Sequence, residues 1–574
     1  MDKEIYFKAK EFSNLKDLIY NSVELYGDNI AFCIKNKENG KVKYNNISYK
    51  KFLEDINCLG TSFYNLGLKN KRIAVIGKNR YEWVVSHLSN LFGGIISIPL
   101  DKDLQLEELE NSLERSKADA IIFDVKLLDL IEEIKKRNNT FVKEFICMEK
   151  SEGFRNIPEL IKEGKKIINK GNTDFINNEV KDDDVSVLLF TSGTTSKSKA
   201  VMLSQRNIAS NVYALQSVED IRSNDTNIAL LPFHHILGST ILILTLACGV
   251  RNVFADGLKY IKQNLQEYKV TLFVGVPVLT EAIYKAVWKG IEKQGKAKLV
   301  RLMIKISNLL LKFNIDIRRK LFKQVINELG GELRLVVSGG APADKLSIKG
   351  FNDLGITTLQ GYGLSETAPV IAVENYKKRK SGSVGVPVIN DTIEIVDKDE
   401  KGIGEIRVKG PNIMLGYYEM EEKTNEVLKD GWFYTGDLGY FDKDGYLYVT
   451  GRNKNLIVLK NGKKVFPEEL ETVINRLDLV SECMVFGLQN KQDQNDITLS
   501  VKIVYDEETV KEKYFDKTEE ELRKIIWDQI KQVNTTFPKY KHIKNLITSH
   551  KELIKTTTKK VKRQDEMKLI LGVV

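Results

Sequence analysis

Short runs of apolar and β-branched residues recur along the first 370 positions, at 72–77, 120–123, 185–191, 226–231, 270–276 and 333–338. Helix-like stretches lie between several of them, as at 204–218, where Ser204 is placed to cap. Apolar strands alternating with helices predict an α/β fold with a substantially parallel sheet. Residues 150–184 are polar and lysine-rich and read as a surface connection. From 382 to 451 glycine becomes dense and the strands short (392–396, 404–409, 445–450), the pattern of a compact β-rich subdomain. Beyond 451 a smaller α+β pattern follows: helix at 468–477, strands at 483–487 and 497–504, helix at 519–535. The expected division is therefore a large domain over 1–452 and a small one over 453–574.

One helical stripe stands apart. Leu299, Leu302, Ile306, Leu309, Phe313, Ile317, Leu321 and Val325 recur at helical spacing within 298–329. Between Lys296 and Lys323 there are nine basic residues and one acid, Asp316. A core helix with a solvated basic face is the expected reading. The alternative is peripheral contact with an anionic membrane surface.

Composition narrows the class. Of 574 residues, 42% are hydrophobic and 29% charged, ordinary for a soluble globular protein. The 88 basic and 78 acidic residues leave a net +10. That diffuse excess suits an anionic small substrate and argues against nucleic acid. Cys33, Cys58, Cys147, Cys248 and Cys483 are too scattered for a zinc ribbon, a CxxC redox pair or a disulfide framework. The N-terminus has no apolar run resembling a signal peptide, and the longest apolar run, 236–250, is short for a membrane span. A cytoplasmic enzyme is the expectation.

The sharpest chemistry lies at 187–200, VLLFTSGTTSKSKA. A buried strand runs into a loop of hydroxyl residues, one glycine and two lysines, the groups a polyphosphate needs. The register of a Walker A loop fails, because Ser198 and Ala200 flank Lys199 where glycine and Ser/Thr belong. Further along come Leu231-Pro232-Phe233-His234-His235, Ser338-Gly339-Gly340-Ala341-Pro342, Gln360-Gly361-Tyr362-Gly363-Leu364-Ser365-Glu366-Thr367, Tyr434-Thr435-Gly436-Asp437-Leu438, Gly451-Arg452-Asn453-Lys454 and a basic tail ending in Lys559-Lys560-Val561-Lys562-Arg563.

In that order the segments resemble the acyl-adenylate-forming (AMP-binding) superfamily, and most of all long-chain fatty acyl-CoA synthetases. The resemblance spans roughly residues 15 to 565. It implies an α/β fold: a large N-terminal domain of two α/β layers plus a β-rich subdomain, with a smaller mobile C-terminal α+β domain and the active site in the cleft. It implies ATP-dependent activation of a medium- or long-chain fatty acid to an acyl-adenylate. The acyl group then passes to coenzyme A, with a separate acyl carrier protein as the runner-up acceptor. A catalytically silent homologue would lack Lys199, Glu366 or Lys560, and all three are present.

The roles implied by the resemblance are specific. Thr191, Ser192, Gly193, Thr194 and Thr195 with Lys199 would bind phosphates, and Glu366 would hold Mg²⁺. Ser365 would meet the α-phosphate. Tyr362, between Gly361 and Gly363, would stack on adenine opposite Gly339, Gly340 and Ala341. Asp437 and Arg452 would reach the ribose. Lys560 would bridge carboxylate and phosphate oxygens, Lys454 would be the hinge, and His235 would border the carboxylate and pantetheine path. The chain departs from the family pattern at Ser196, Ser198 and Ala200, where glycine, proline and glycine are usual, and at Lys559, where many members have glycine. No acid follows Phe233 until Asp256, so an ammonium-bearing substrate would lack its counter-ion and amino acids are disfavoured.

Overall fold

The computed structural model describes residues 4–38, 40–191, 198–489, 497–556 and 560–572. The chain divides into two compact units. The first comprises 1–340, 345–393 and 408–433, and the second 341–344, 394–407 and 434–574.

The first unit is built on two large sheets. One has nine strands. Its centre runs parallel through Thr357–Gly363, Leu335–Gly339, Leu272–Gly275, Thr226–Ala229, Arg251–Phe254 and Ile30–Glu38. Antiparallel strands close both edges: Lys41–Ser48 on one side, Val370–Val373 and Val386–Pro387 on the other. The second sheet has eight strands. It is parallel from Val185–Thr191 through Ile96–Leu100, Arg72–Ile76, Ala120–Phe123 and Glu144–Cys147 to Arg155–Asn156. Its antiparallel edge is formed by Lys199–Ser204 and Gly416–Tyr417. The central parallel strands Arg72–Ile76, Ile96–Leu100, Ala120–Phe123, Thr226–Ala229 and Leu272–Gly275 are buried nearly throughout, which is why most of them read as continuous apolar runs in the sequence. The helix Gln205–Gln216 starts at the expected cap: Ser204 accepts from the Asn207 amide, and Asn207 reciprocates.

The stretch 150–184 is not a plain connection. It contains the helix Ile157–Asn169, capped by Asn156, which accepts from the Glu159 amide. This helix packs closely on the helix Tyr49–Asn65, because a Cβ at Gly164 would stand 1.8 Å from the Cys58 carbonyl oxygen. Its lysines face outward while Ile157, Leu160 and Gly164 are buried, so a polar composition concealed a narrow apolar face.

The continuous helix expected over 298–329 is three pieces: Ala297–Leu311, Arg318–Leu321 and Lys323–Glu328. The expected burial is also reversed. Leu299, Leu302, Ile306, Leu309 and Phe313 are exposed, and Val300 and Ser307 face the interior instead.

A five-stranded sheet includes Thr392–Val396, Gly404–Lys409, Trp432–Phe441 and Leu447–Arg452. The second unit continues with the three-stranded sheet Val480–Gln489, Ile497–Tyr505 and Asn545–Ser549. The helices Pro467–Ile474 and Glu519–Thr535 supply Leu470, Ile474, Ile526 and Ile530 to its core.

Candidate active site

In open parallel sheets, ligands collect at the carboxyl ends of the strands. The predicted residues of the first unit lie at such ends. Gly339 ends its strand and pairs in register with Gly361 of the next. A Cβ at either Gly339 or Gly340 would meet Leu237 at 3.9 Å, so the floor here is backbone facing an aliphatic side chain. Gly340 has φ +84°, a conformation that favours glycine. Tyr362 follows on the same strand, paired with Ala372. At Gly363 a side chain is excluded outright, since a Cβ would lie 1.8 Å from the Pro369 carbonyl oxygen.

Ser365 and Glu366 sit in the short helical turn Ser365–Thr367. The turn is fixed by Thr367, whose hydroxyl accepts from the Leu364 amide at 3.0 Å, and by Asn412, which donates to the Thr367 carbonyl at 2.9 Å. Glu366 is half-buried. Its Oε1 accepts from the hydroxyl of Tyr417 at 2.9 Å, and its carbonyl accepts from the Met414 amide at 2.9 Å. The ring of Tyr417 also carries Lys199, whose Nζ stands 4.4 Å from the ring centroid. One tyrosine thus joins the lysine expected to bind phosphate to the carboxylate expected to bind metal.

That geometry comes from strand pairing. Tyr417 pairs with Val201, and Thr191 with Lys199. The Thr191 hydroxyl donates to the Lys199 carbonyl at 3.2 Å. Ala200 is buried in this strand opposite Phe190, which is why a small side chain fits where glycine is usual. Ser198, in place of proline, accepts from Arg115 at 3.2 Å. Ser192, Gly193, Thr194 and Thr195 lie outside the described residues, as do Ser196 and Lys559.

His235 precedes the buried helix Ile236–Ala247 as its N-cap residue. Its ring lies 4.2 Å from that of His234, and His234 Nε2 stands 3.4 Å from Asp101. A carboxylate, Asp101, thus stands beside this histidine segment. Phe233 is buried against Trp83, with ring centroids 5.2 Å apart.

The second unit holds the other predicted residues. Asp437 is buried and pairs in register with Arg452, whose Nε donates to its Oδ1 at 3.0 Å. The Asp437 amide donates to the Thr435 hydroxyl, and Gly436, at φ +70°, donates its amide to Glu405. Ala341 opens the short segment 341–344, anchored by Arg476 on Asp344 at 2.7 Å. Lys454 lies in the turn Asn453–Asn455, tied down by Asn455 donating to Glu468 at 2.7 Å.

Lys560 is exposed beside the Lys555–Val561 bridge, and its carbonyl accepts from the Thr556 amide at 2.8 Å. Arg563 holds the chain just beyond this bridge. Its guanidinium grips both oxygens of half-buried Glu471 and donates to the Val485 carbonyl at 3.0 Å. Burial pushes the Glu471 carboxyl above its ordinary range, and the Arg563 charge opposes that rise.

Residues 20–418 match the AMP-binding enzyme family, and residues 454–569 match the AMP-binding enzyme C-terminal domain. The chain belongs to the AMP-binding enzyme family. Among curated relatives, fatty acyl-CoA synthetase B of Dictyostelium discoideum is 29% identical over 525 residues, covering 85% of this chain and 76% of that protein. Probable 4-coumarate–CoA ligase 2 of the same organism is 31% identical over 522 residues, covering 87% and 85%. Among solved structures, the anthranilate CoA ligase AuaEII in complex with anthranoyl-AMP superposes with a TM-score of 0.77 at 19% identity, over 98% of both chains. That likeness concerns the fold: an α/β protein with a large N-terminal and a smaller C-terminal domain.

Two residues of this AMP-binding enzyme escaped sequence reasoning. Tyr417 and Arg115 lie far in sequence from the loop they serve, and the only local signal for Tyr417 is the Gly416-Tyr417-Tyr418 triplet. The chain also has a depression of about 710 Å³ at the opposite, amino ends of the nine-stranded sheet, lined by Thr226, Arg251, Arg334 and Thr357 among others. It contains none of the predicted residues. Its charges are largely spent on one another, as Arg334 binds Asp220 and Asp225.

Proposed function

We propose that this AMP-binding enzyme activates a medium- or long-chain fatty acid with ATP and transfers the acyl group to coenzyme A. A carboxylate oxygen attacks the α-phosphorus, forming a P–O bond as pyrophosphate leaves. The thiol sulfur then attacks the acyl carbonyl carbon, and AMP leaves with the bonding pair. The observation that carries this reading is the join of Lys199 to Glu366 through Tyr417 in a chain of this family.

The roles follow from chemistry at each position. Lys199 and the hydroxyl of Thr191, with the loop 192–195, would hold the β- and γ-phosphates. Mg²⁺ is usually bound through one or two carboxylates plus substrate phosphates, and the Glu366 carboxylate, steadied by Tyr417, fits that donor set. When bound, the ion would neutralise charge on the phosphate oxygens. Ser365 would donate to the α-phosphate, Tyr362 would stack on adenine over Gly339, Gly340 and Ala341, and Asp437 with Arg452 would take the ribose hydroxyls. Lys560 would reach the reacting oxygens during adenylation, with the chain pivoting at Lys454 between a domain over 1–452 and a lid over 453–574. His235 would border the thiol's approach.

Support for a fatty acid is the apolar character of the helix that follows His235, where Leu237 faces the glycine floor. Burying each CH₂ contributes about 0.8 kcal/mol, about fourfold in affinity. An aromatic acid is a second reading, favoured by the 31% identity to a probable 4-coumarate–CoA ligase. The deciding experiment is ATP–pyrophosphate exchange across acids from acetate to palmitate and 4-coumarate, followed by thioester formation with coenzyme A or holo-acyl carrier protein. Exchange should climb with chain length. Equal turnover of acetate and palmitate at low concentration refutes the fatty acid assignment.

A further inference from the structure

The helix Ala297–Leu311 has two apolar faces and only one is covered. Val300 and Ser307 turn inward, and Val300 packs with Ile291, Phe322 and Leu354. The other face is bare: Leu299, Leu302, Ile306 and Leu309 are 48–56% exposed, and Phe313, just past the helix, is 69% exposed. Large apolar side chains aligned along one helix face are uncommon on a protein surface unless something covers them.

Charge says what covers them. About a quarter turn round the helix from the stripe run Lys298, Arg301 and Lys305, continued by Lys312, all exposed. Lys320 and Lys323 add exposed cations beyond the helix. The nearby acids are already engaged: Asp316 is held by Arg318 at 2.7 Å, and Glu292 lies 4.0 Å from Arg301. A second copy of the chain docked through this face would bring like charges together. A bilayer with anionic headgroups accepts both features, taking the stripe at its acyl boundary and the lysines at its phosphates. Among the described residues no helix is long and apolar enough to cross a membrane, so such a helix lies on the surface.

We propose that Ala297–Leu311 docks the protein on an anionic phospholipid surface, with Leu299, Leu302, Ile306, Leu309 and Phe313 entering the acyl boundary and Lys298, Lys305 and Lys312 meeting the headgroups. This goes beyond the ligase reading and stands without it. The test is co-sedimentation of the full chain with phosphatidylcholine vesicles, with and without phosphatidylglycerol. Binding should require phosphatidylglycerol and should fall as salt rises from about 0.1 M to about 1 M, where the screening length drops from about 10 Å to about 3 Å. Each lysine near such a surface contributes about fivefold, so Lys298→Glu with Lys305→Glu should weaken binding by at least about 25-fold. Leu302→Ser with Ile306→Ser should weaken it comparably without lowering the thermal midpoint. Phe313→Trp, in an otherwise unchanged chain, should show blue-shifted emission on anionic vesicles, which keeps the test independent of whether the multiple variants fold. Absence of vesicle binding at low salt overturns the proposal. So does binding indifferent to both double variants, or a dimer in light scattering that Leu302→Ser with Ile306→Ser dissolves.

Discussion

Tyr417 donates to Glu366 Oε1 at 2.9 Å while its ring lies under Lys199, 4.4 Å from Nζ to centroid. The two contacts use different parts of one side chain and can be separated. Tyr417→Phe keeps the ring and loses the hydrogen bond. A hydrogen bond to a charged group contributes about 1.5–3 kcal/mol. The expected loss in kcat/KM for adenylation is therefore about tenfold or more, with a higher Mg²⁺ concentration at half-maximal rate. Tyr417→Ala also removes the surface beneath Lys199 and should raise KM for ATP further. If the phenylalanine variant keeps the wild-type Mg²⁺ dependence, Tyr417 does not orient the metal-binding carboxylate.

A second prediction concerns pH. Glu219 is buried, both its carboxyl oxygens lack a hydrogen-bond partner, and desolvation pushes it up to about 8. Glu374, nearby, is pushed up to about 7 by burial, although the amides of Gln360 and Lys380 donate to it. A carboxyl raised on folding is neutral in the native state. Its contribution is fully present below the unfolded value and is lost as pH rises through the folded value. Stability should therefore fall between about pH 5 and pH 9, by an amount on the order of 5 kcal/mol, read as falling thermal or urea midpoints. Glu219→Gln should flatten that slope. A midpoint that holds or climbs across this range for the wild type contradicts the assignment. Burial pushes His87 the other way, down to about 3, so its contribution is lost as pH falls below the usual imidazole range.

The segment that carries Lys560 depends on a pair outside it. Arg563 and Glu471 are both largely enclosed, and removing one partner strands the other charge. Breaking such a pair costs about 3–5 kcal/mol. Arg563→Met should therefore lower stability by that order. Arg563→Met with Glu471→Leu should recover most of it, because the uncompensated charge is gone. Urea denaturation of the two variants checks this. A double variant no more stable than the single would show that the pair's charge is not what the fold relies on.

Much of this was legible along the chain, for a physical reason. Parallel strands buried on both faces must be apolar throughout, so 72–77 and 120–123 announced themselves. Tyr362, Ser365 and Glu366 sit together because one strand and one turn place them, and local geometry is written locally. Tyr417 was invisible because its meeting with Lys199 and Glu366 requires an antiparallel pairing between segments more than 200 residues apart. The helix Ile157–Asn169 was missed because its buried face is narrow and depends on Gly164 for close approach. The stripe at 299–313 was misread because periodicity shows that a face is apolar and not what it faces.

The last prediction separates the two half-reactions. Adenylation needs a cation at the α-phosphate, and Lys560 is its source in the reading proposed above. Thioester formation needs that side chain withdrawn so that a thiol can enter. The resemblance to acyl-adenylate-forming enzymes implies a pivot at Lys454, and hinges are commonly a few element-terminal residues that absorb the φ/ψ change. Lys454 occupies such a place, in the turn Asn453–Asn455 directly after the strand Leu447–Arg452. After the pivot, the turn through Gly462, at φ +74° and closed by its amide on the Leu459 carbonyl, would face the thiol's path. Lys560→Ala should then reduce pyrophosphate exchange by about 100-fold or more, the usual scale for a preorganised charge at a transition state. The same variant should leave thioester formation from supplied acyl-adenylate within about threefold, since the charge has no part in a step that expels it. Lys454→Pro fixes φ near −65° and should do the reverse, sparing exchange and slowing thioester formation. Equal slowing of both half-reactions by Lys560→Ala would remove that lysine from the two-pose scheme. Wild-type thioester formation in Lys454→Pro would move the hinge elsewhere in the chain.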